Sequence, residues 1–315
     1  MVLNPNLPNI VLNKILSLNS TEHFLLVTDT SKEPLAQPFY DLAKQITPFA
    51  EIVIMQPLSM HGQEPPQNIA EKMFHADVLL ILTEKSLSHT DATRTAVKNN
   101  ARGISSPNIS EEILNRCVDI DYNQLISFHD WLRPIIANSE TIQVTTKQGT
   151  NITFSITETH GYSDHLLKNK PGAIGNLPTG EVDSGIKNAN GKIVIDGSFP
   201  FLGLLREPIY LEVKNNQATI ISENNPSNKL KEILQPCAPN SNQLAEFGIG
   251  TNPKAILTGK VIEDEKVKGT IHFALGNDLS YGGKNNIPLH LDGVITKPTI
   301  IVDGKTIMEE GNFLQ

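Results

Sequence analysis

Phe24-Leu25-Leu26-Val27-Thr28-Asp29 is an unbroken apolar run closed by an acid. Apolar and polar residues do not alternate in it, so it reads as a strand covered on both faces, as in a parallel sheet. Helical spacing follows over 34–46, then a strand over 51–55, a helix over about 66–75, a strand over 77–82 and a helix over about 89–101. Strands alternating with helices predict a Rossmann-like α/β domain. The turn after the first strand, Thr28-Asp29-Thr30-Ser31-Lys32-Glu33, has no Gly-x-Gly-x-x-Gly. Nucleotide binding is therefore not expected, and a scaffold or lid role is the favoured reading of this half.

Beyond residue 140 the texture changes to short runs of β-branched and aromatic residues, such as 141–146, 151–156 and 192–196. Asn215-Asn216 and Asp303-Gly304 lie between alternating segments and read as hairpin turns. The expected architecture is an α/β domain over 1–138 and a β-rich α+β metal-binding domain over 139–315, joined near 130–138. Cys117 and Cys237 fall in different halves without metal-ligand spacing, so packing of reduced thiols is expected.

The chain has 315 residues, a formal net charge of −8 and no basic block to neutralise phosphates, which argues against a nucleic-acid partner. Its first residues have neither a basic nor an apolar leader region, and no apolar run spans a bilayer. A soluble cytoplasmic protein acting on a small peptide or other small molecule, with no membrane partner, is the expectation.

The chemistry concentrates late in the chain. In Pro288-Leu289-His290-Leu291-Asp292-Gly293, strand geometry puts His290 and Asp292 on one face. A second histidine, His272, stands in an apolar strand-like run, and two His with one Asp make an open-sided metal site. Glu181 follows the loop Asn176-Leu177-Pro178-Thr179-Gly180, and Glu246 is set among apolar residues and glycines in 244–253. Inward carboxylates need cations or close pairing. Three acids and two imidazoles are neutralised by two divalent ions with one hydroxide, which favours a paired site able to activate water against a carbonyl. His89, after the third strand, reads as a substrate-binding or proton-transferring group, against Ser88 or Thr90 as plain helix caps. Arg206 reads as a partner for a substrate carboxylate, against a local pair with Glu207. Glu263-Asp264-Glu265 reads as a solvated turn.

Pro178-Thr179-Gly180-Glu181-Val182, the segment from Ala245 to Pro253, His272-Phe273-Ala274-Leu275-Gly276 and His290-Leu291-Asp292 resemble, in order and spacing, the metal-binding motifs of the M29 metallo-aminopeptidases. The resemblance implies a cytoplasmic homodimer that removes N-terminal residues from peptides. It also implies that Glu181, Glu246, His272, His290 and Asp292 hold two divalent ions, zinc, cobalt or manganese, with Glu181 and Glu246 as the catalytic carboxylates. The family's tyrosine ligand aligns with Leu279, and Tyr281, two residues on, is the candidate to replace it. Chain length and the turn Gly282-Gly283-Lys284 resemble instead the 2,5-dihydroxypyridine dioxygenases, which use one Fe(II). That branch has a histidine in place of Glu246 and neither acid nor imidazole at the positions of Glu181 and His272. The ligand set thus makes a hydrolase the first expectation, an iron dioxygenase acting on a small aromatic ring the alternative, and a non-enzymatic binding protein the third.

Overall fold

A computed structural model describes residues 2–88, 90–157 and 169–315. The chain forms two compact units, Met1–Ile120 with His165–Thr179, and Asp121–Asp164 with Gly180–Gln315. The division expected near 138 therefore falls elsewhere. The helix Tyr122–Ala137 places Leu132 and Ile136 in the core of the second unit, and the strand Ile174–Asn176 returns to the first.

The first unit is built on a five-stranded, all-parallel sheet in the order Ala50–Met55, Phe24–Asp29, Val78–Leu82, Arg102–Ser105, Ile174–Asn176. Every residue of Phe24–Asp29 and of Val78–Leu82 is buried, which is why these runs are continuously apolar. Helices Glu33–Ile46, Gln67–His75 and Asp91–Lys98 occupy the expected places. The last is shorter than its pattern because Thr90 caps it, with Oγ1 accepting from the Thr93 amide at 3.2 Å.

The second unit is an eleven-stranded sheet in which every pairing is antiparallel. Its site-bearing end runs His290–Ile295, Ile271–Gly276, Leu244–Gly250, then the fifteen-residue strand Glu181–Ile195. That strand pairs with Leu244–Gly250 through residues 181–185 and with Ile209–Lys214 through 191–195. Between these stretches Asn188 has φ 57°, which interrupts the extended backbone. Both predicted hairpin turns form: Asn215 and Asn216 have φ 49° and 67°, Asp303 and Gly304 have 48° and 82°, and each pair joins adjacent strands.

The four site-bearing strands obey one period-two rule. Val182, Phe247, Ile249, Ile271, Phe273, Leu275, Leu291 and Ile295 point into the core. Phe154, Phe247 and Phe273 meet there with ring centroids 4.9 to 5.6 Å apart. The opposite face carries the polar residues. Among the described residues no helix is long and apolar enough to cross a membrane.

Candidate metal centre

Directly paired residues of an antiparallel sheet project from the same face. Glu181 pairs with Gly250, Asp183 with Gly248 and Gly185 with Glu246; Gly248 pairs with His272, Ala274 with both Glu246 and Asp292, and Gly276 with His290. Six functional side chains thus stand on one sheet face, separated by glycine and alanine. The small residues leave room for the large ones. A Cβ on Gly248 would overlap the His272 imidazole, and one on Gly185 would come within 2.6 Å of Thr157 Oγ1 and 2.9 Å of Tyr281 Cβ.

Glu246 is the hub. Its Oε1 lies 3.2 Å from Nε2 of His272 and its Oε2 lies 2.9 Å from Nε2 of His290. Glu181 Oε2 reaches His272 Nε2 at 3.6 Å, and Asp292 Oδ1 reaches His290 Nε2 at 3.4 Å. All five sequence-predicted donors therefore converge. His290 Nδ1 donates to the Asn277 carbonyl at 2.8 Å, which assigns its proton and turns Nε2 toward the acids.

Tyr281 also reaches the centre. Leu279, at the family's tyrosine position, is 37% exposed on the 3₁₀ turn Leu279–Tyr281, whereas Tyr281 turns inward. Its hydroxyl donates to Asp183 Oδ2 at 3.1 Å, and its ring stacks on His290 with centroids 6.1 Å apart.

Three participants escaped the sequence reading. Asp183 is buried on the donor face two residues after Glu181, a spacing the period-two rule would have flagged. Lys266 is buried against Glu181 Oε1, and its ammonium lies 2.8 Å from Glu265 Oε1. The expectation of a solvated turn at 263–265 is corrected: all three acids are buried. Glu263 Oε1 accepts from the Ile256 amide, while Asp264 accepts from the amides of Thr258 and Gly259, so these two caps hold the loop that precedes them. No local sequence signal separates such capping acids from solvated ones.

One predicted substrate-binding residue does not join the cluster. Arg206 is exposed in the turn between the strands Gly203–Leu204 and Ile209–Lys214. His89 lies outside the described residues.

The electrostatics follow from burial and like charge. Burial opposes ionisation of Glu246, but hydrogen bonds and charge from His272 and His290 outweigh it and hold its carboxyl well below the usual range. Burial likewise disfavours the His272 imidazolium, yet Glu246, Glu181 and Asp292 raise it to about 10. His290 rises for the same reason, through Asp292 and Glu246. Burial pushes Glu181 up, and pushes Glu265 up to about 8 against the pull of Lys266. Burial and the surrounding acids keep the Tyr281 phenol protonated.

The donors fit divalent ions. Three groups have ligand atoms within 4.8 Å of one another: Glu181, Glu246 and His272; Glu246, His290 and Asp292; Glu265, His272 and Asp292. His272 Nδ1 and Asp292 Oδ1 are buried without a hydrogen-bond partner, the condition that bound cations relieve.

The family model described as NicX, 2,5-dihydroxypyridine 5,6-dioxygenase, matches residues 47–315. The chain belongs to this family. Among solved structures, the 2,5-dihydroxypyridine dioxygenase from Pseudomonas putida KT2440 superposes with a TM-score of 0.80 at 18% identity, covering 100% of this chain and 98% of that one. Wild-type AmpT from Thermus thermophilus gives a TM-score of 0.69 at 13% identity, covering 99% and 98%. No curated protein matches the sequence. At these identities the structural likenesses speak for the fold. Together with the family match they bear out the resemblance read from the motifs, an M29-type fold with a link to the dioxygenase branch.

Proposed function

We propose that this member of the dioxygenase family is a metal-dependent hydrolase that cleaves the amide bond after the N-terminal residue of a small peptide. The observation that carries the reading is the composition of the donor groups. Two of them share Glu246, as a paired centre requires, and each of the three combines two carboxylates with one histidine. A two-histidine, one-carboxylate set is the usual equipment of mononuclear non-haem iron oxygenases.

Charge balance supports two ions. Glu181, Asp183, Glu246, Glu265 and Asp292 are five acids around one ammonium, Lys266. With neutral imidazoles, two divalent cations bring this set to neutrality, whereas one leaves it anionic in a buried setting. Zinc, cobalt and manganese all suit mixed carboxylate and imidazole donors.

Glu181, Glu246 and His272 would hold one ion, and Glu246, His290 and Asp292 the other. When bound, such ions acidify water and polarise a carbonyl. The Asn277 carbonyl fixes the His290 tautomer, and Lys266 orients Glu181. Tyr281, kept as a phenol, offers a proton donor beside Glu246 and Asp183. The carboxylate-rich face suits a substrate with a cationic amino end.

A second reading, a ring-cleaving dioxygenase with one Fe(II) at Glu246, His290 and Asp292, draws on the family match. Elemental analysis of protein purified without chelator or affinity metal separates the two. Two zinc, cobalt or manganese per chain with release of p-nitroaniline from leucyl p-nitroanilide supports the hydrolase. One iron with oxygen uptake on 2,5-dihydroxypyridine overturns it. The accompanying reading, a cytoplasmic homodimer, is checked by light scattering and fractionation.

A further inference from the structure

We propose that Glu265 is a sixth metal ligand of this centre, joining His272 and Asp292 as a donor to one of its two ions. The proposal rests on the reading that the centre holds divalent ions.

Three observations lead there. Glu265, His272 and Asp292 each present a ligand atom within 4.8 Å of the others. The same group contains two buried atoms of the donor face that have no hydrogen-bond partner, His272 Nδ1 and Asp292 Oδ1, and His272 is completely buried. A buried nitrogen without a partner is destabilising unless something fills the site. Lys266 then explains why an extra acid can stand here. Its ammonium engages Oε1 of Glu181 and Oε1 of Glu265 alike, so each carboxylate is anchored by one oxygen and keeps its second for a cation. Glu265 is thus held in the same manner as Glu181, a donor predicted from the sequence. It differs from its neighbours Glu263 and Asp264, whose oxygens accept from the amides of the 256–259 loop and the Thr258 hydroxyl.

The chemical consequence is a centre with more oxygen donors than its paired-ion motif supplies, which favours an ion that accepts higher coordination, manganese over zinc.

The test is metal binding by the full chain, read by calorimetric titration of chelator-treated protein with Mn(II) alone and by elemental analysis after dialysis. Glu265→Gln, which keeps size and a hydrogen-bond acceptor for Lys266, is expected to weaken one Mn(II) by about tenfold or more and leave the other in place. Glu263→Gln, by contrast, should lower the melting temperature without changing Mn(II) affinity. If Glu265→Gln folds and binds two Mn(II) as the unaltered chain does, the proposal is wrong while the paired-ion reading stands. If the unaltered chain binds no Mn(II), Co(II) or Zn(II), both fall. Should Glu265→Gln fail to fold, anomalous diffraction from the unaltered protein soaked in Mn(II) decides: density bonded to the Glu265 carboxylate supports the proposal, and density bonded only to the other donors overturns it.

Discussion

Gly248 and His272 face each other across paired strands so closely that the imidazole lies where the Cβ of any larger residue would be. The glycine therefore serves the histidine rather than the strand, since glycine weakens a strand interior. Gly248→Ala should tilt the buried ring off Nε2 alignment with Glu246, at a cost of about 1–3 kcal/mol in the folded state. Chelator-treated protein should melt lower and the loaded protein should lose an ion. Unchanged metal content and melting temperature would show that the ring has room to move.

Glu246 belongs to two donor groups and His290 to one. Glu246→Ala should therefore remove both ions, and His290→Ala should leave the ion at Glu181 and His272. Equilibrium dialysis followed by elemental analysis distinguishes these outcomes. Retention of two ions by either variant would place the centre elsewhere.

The metal-free protein should lose stability as pH rises. His272 is raised to about 10 in the folded state from an ordinary 6.5, so the folded chain holds a proton that the unfolded chain releases between those values. That contribution is complete below 6.5 and disappears by about 10. Glu265, raised from 4.5 to about 8, acts in the same direction at lower pH, because its ionisation is penalised only in the folded state. Ions must displace these protons, so apparent metal affinity should climb with pH and binding should release protons. Thermal melts in chelator from pH 6 to 10, and calorimetry in buffers of different ionisation enthalpy, check both. A melting temperature that rises with pH in chelator would contradict the assignment.

Tyr281→Phe removes the hydroxyl that donates to Asp183 but leaves the ring stacked on His290. About 1 kcal/mol of stability should be lost. Metal content should stay the same while kcat falls, because the phenol is expected to act as a proton donor. Loss of an ion in this variant would instead make Tyr281 a metal ligand, as the family resemblance implied.

Much of this was legible in the chain. Continuous apolar runs such as 24–29 gave the parallel sheet, because strands covered on both faces cannot alternate. His290 and Asp292 gave half the site, because side chains two apart on a strand share a face. The two-residue turns at Asn215-Asn216 and Asp303-Gly304 were readable from residues that tolerate positive φ. Glu181, Glu246 and His272 stood out only through a motif order that resembles a known family.

By itself, then, the sequence determined the strands, their faces and the donor types, since these depend on local periodicity and side-chain chemistry. Only the tertiary structure decided which acids meet. The unit boundaries, with 174–176 returning to the first sheet, depend on contacts between residues far apart in the chain. Lys266 beside Glu181, 85 positions away, turns an apparent surface turn into part of a buried charge cluster. A charged residue reads the same whether solvated or paired, and burial is a property of the packed chain.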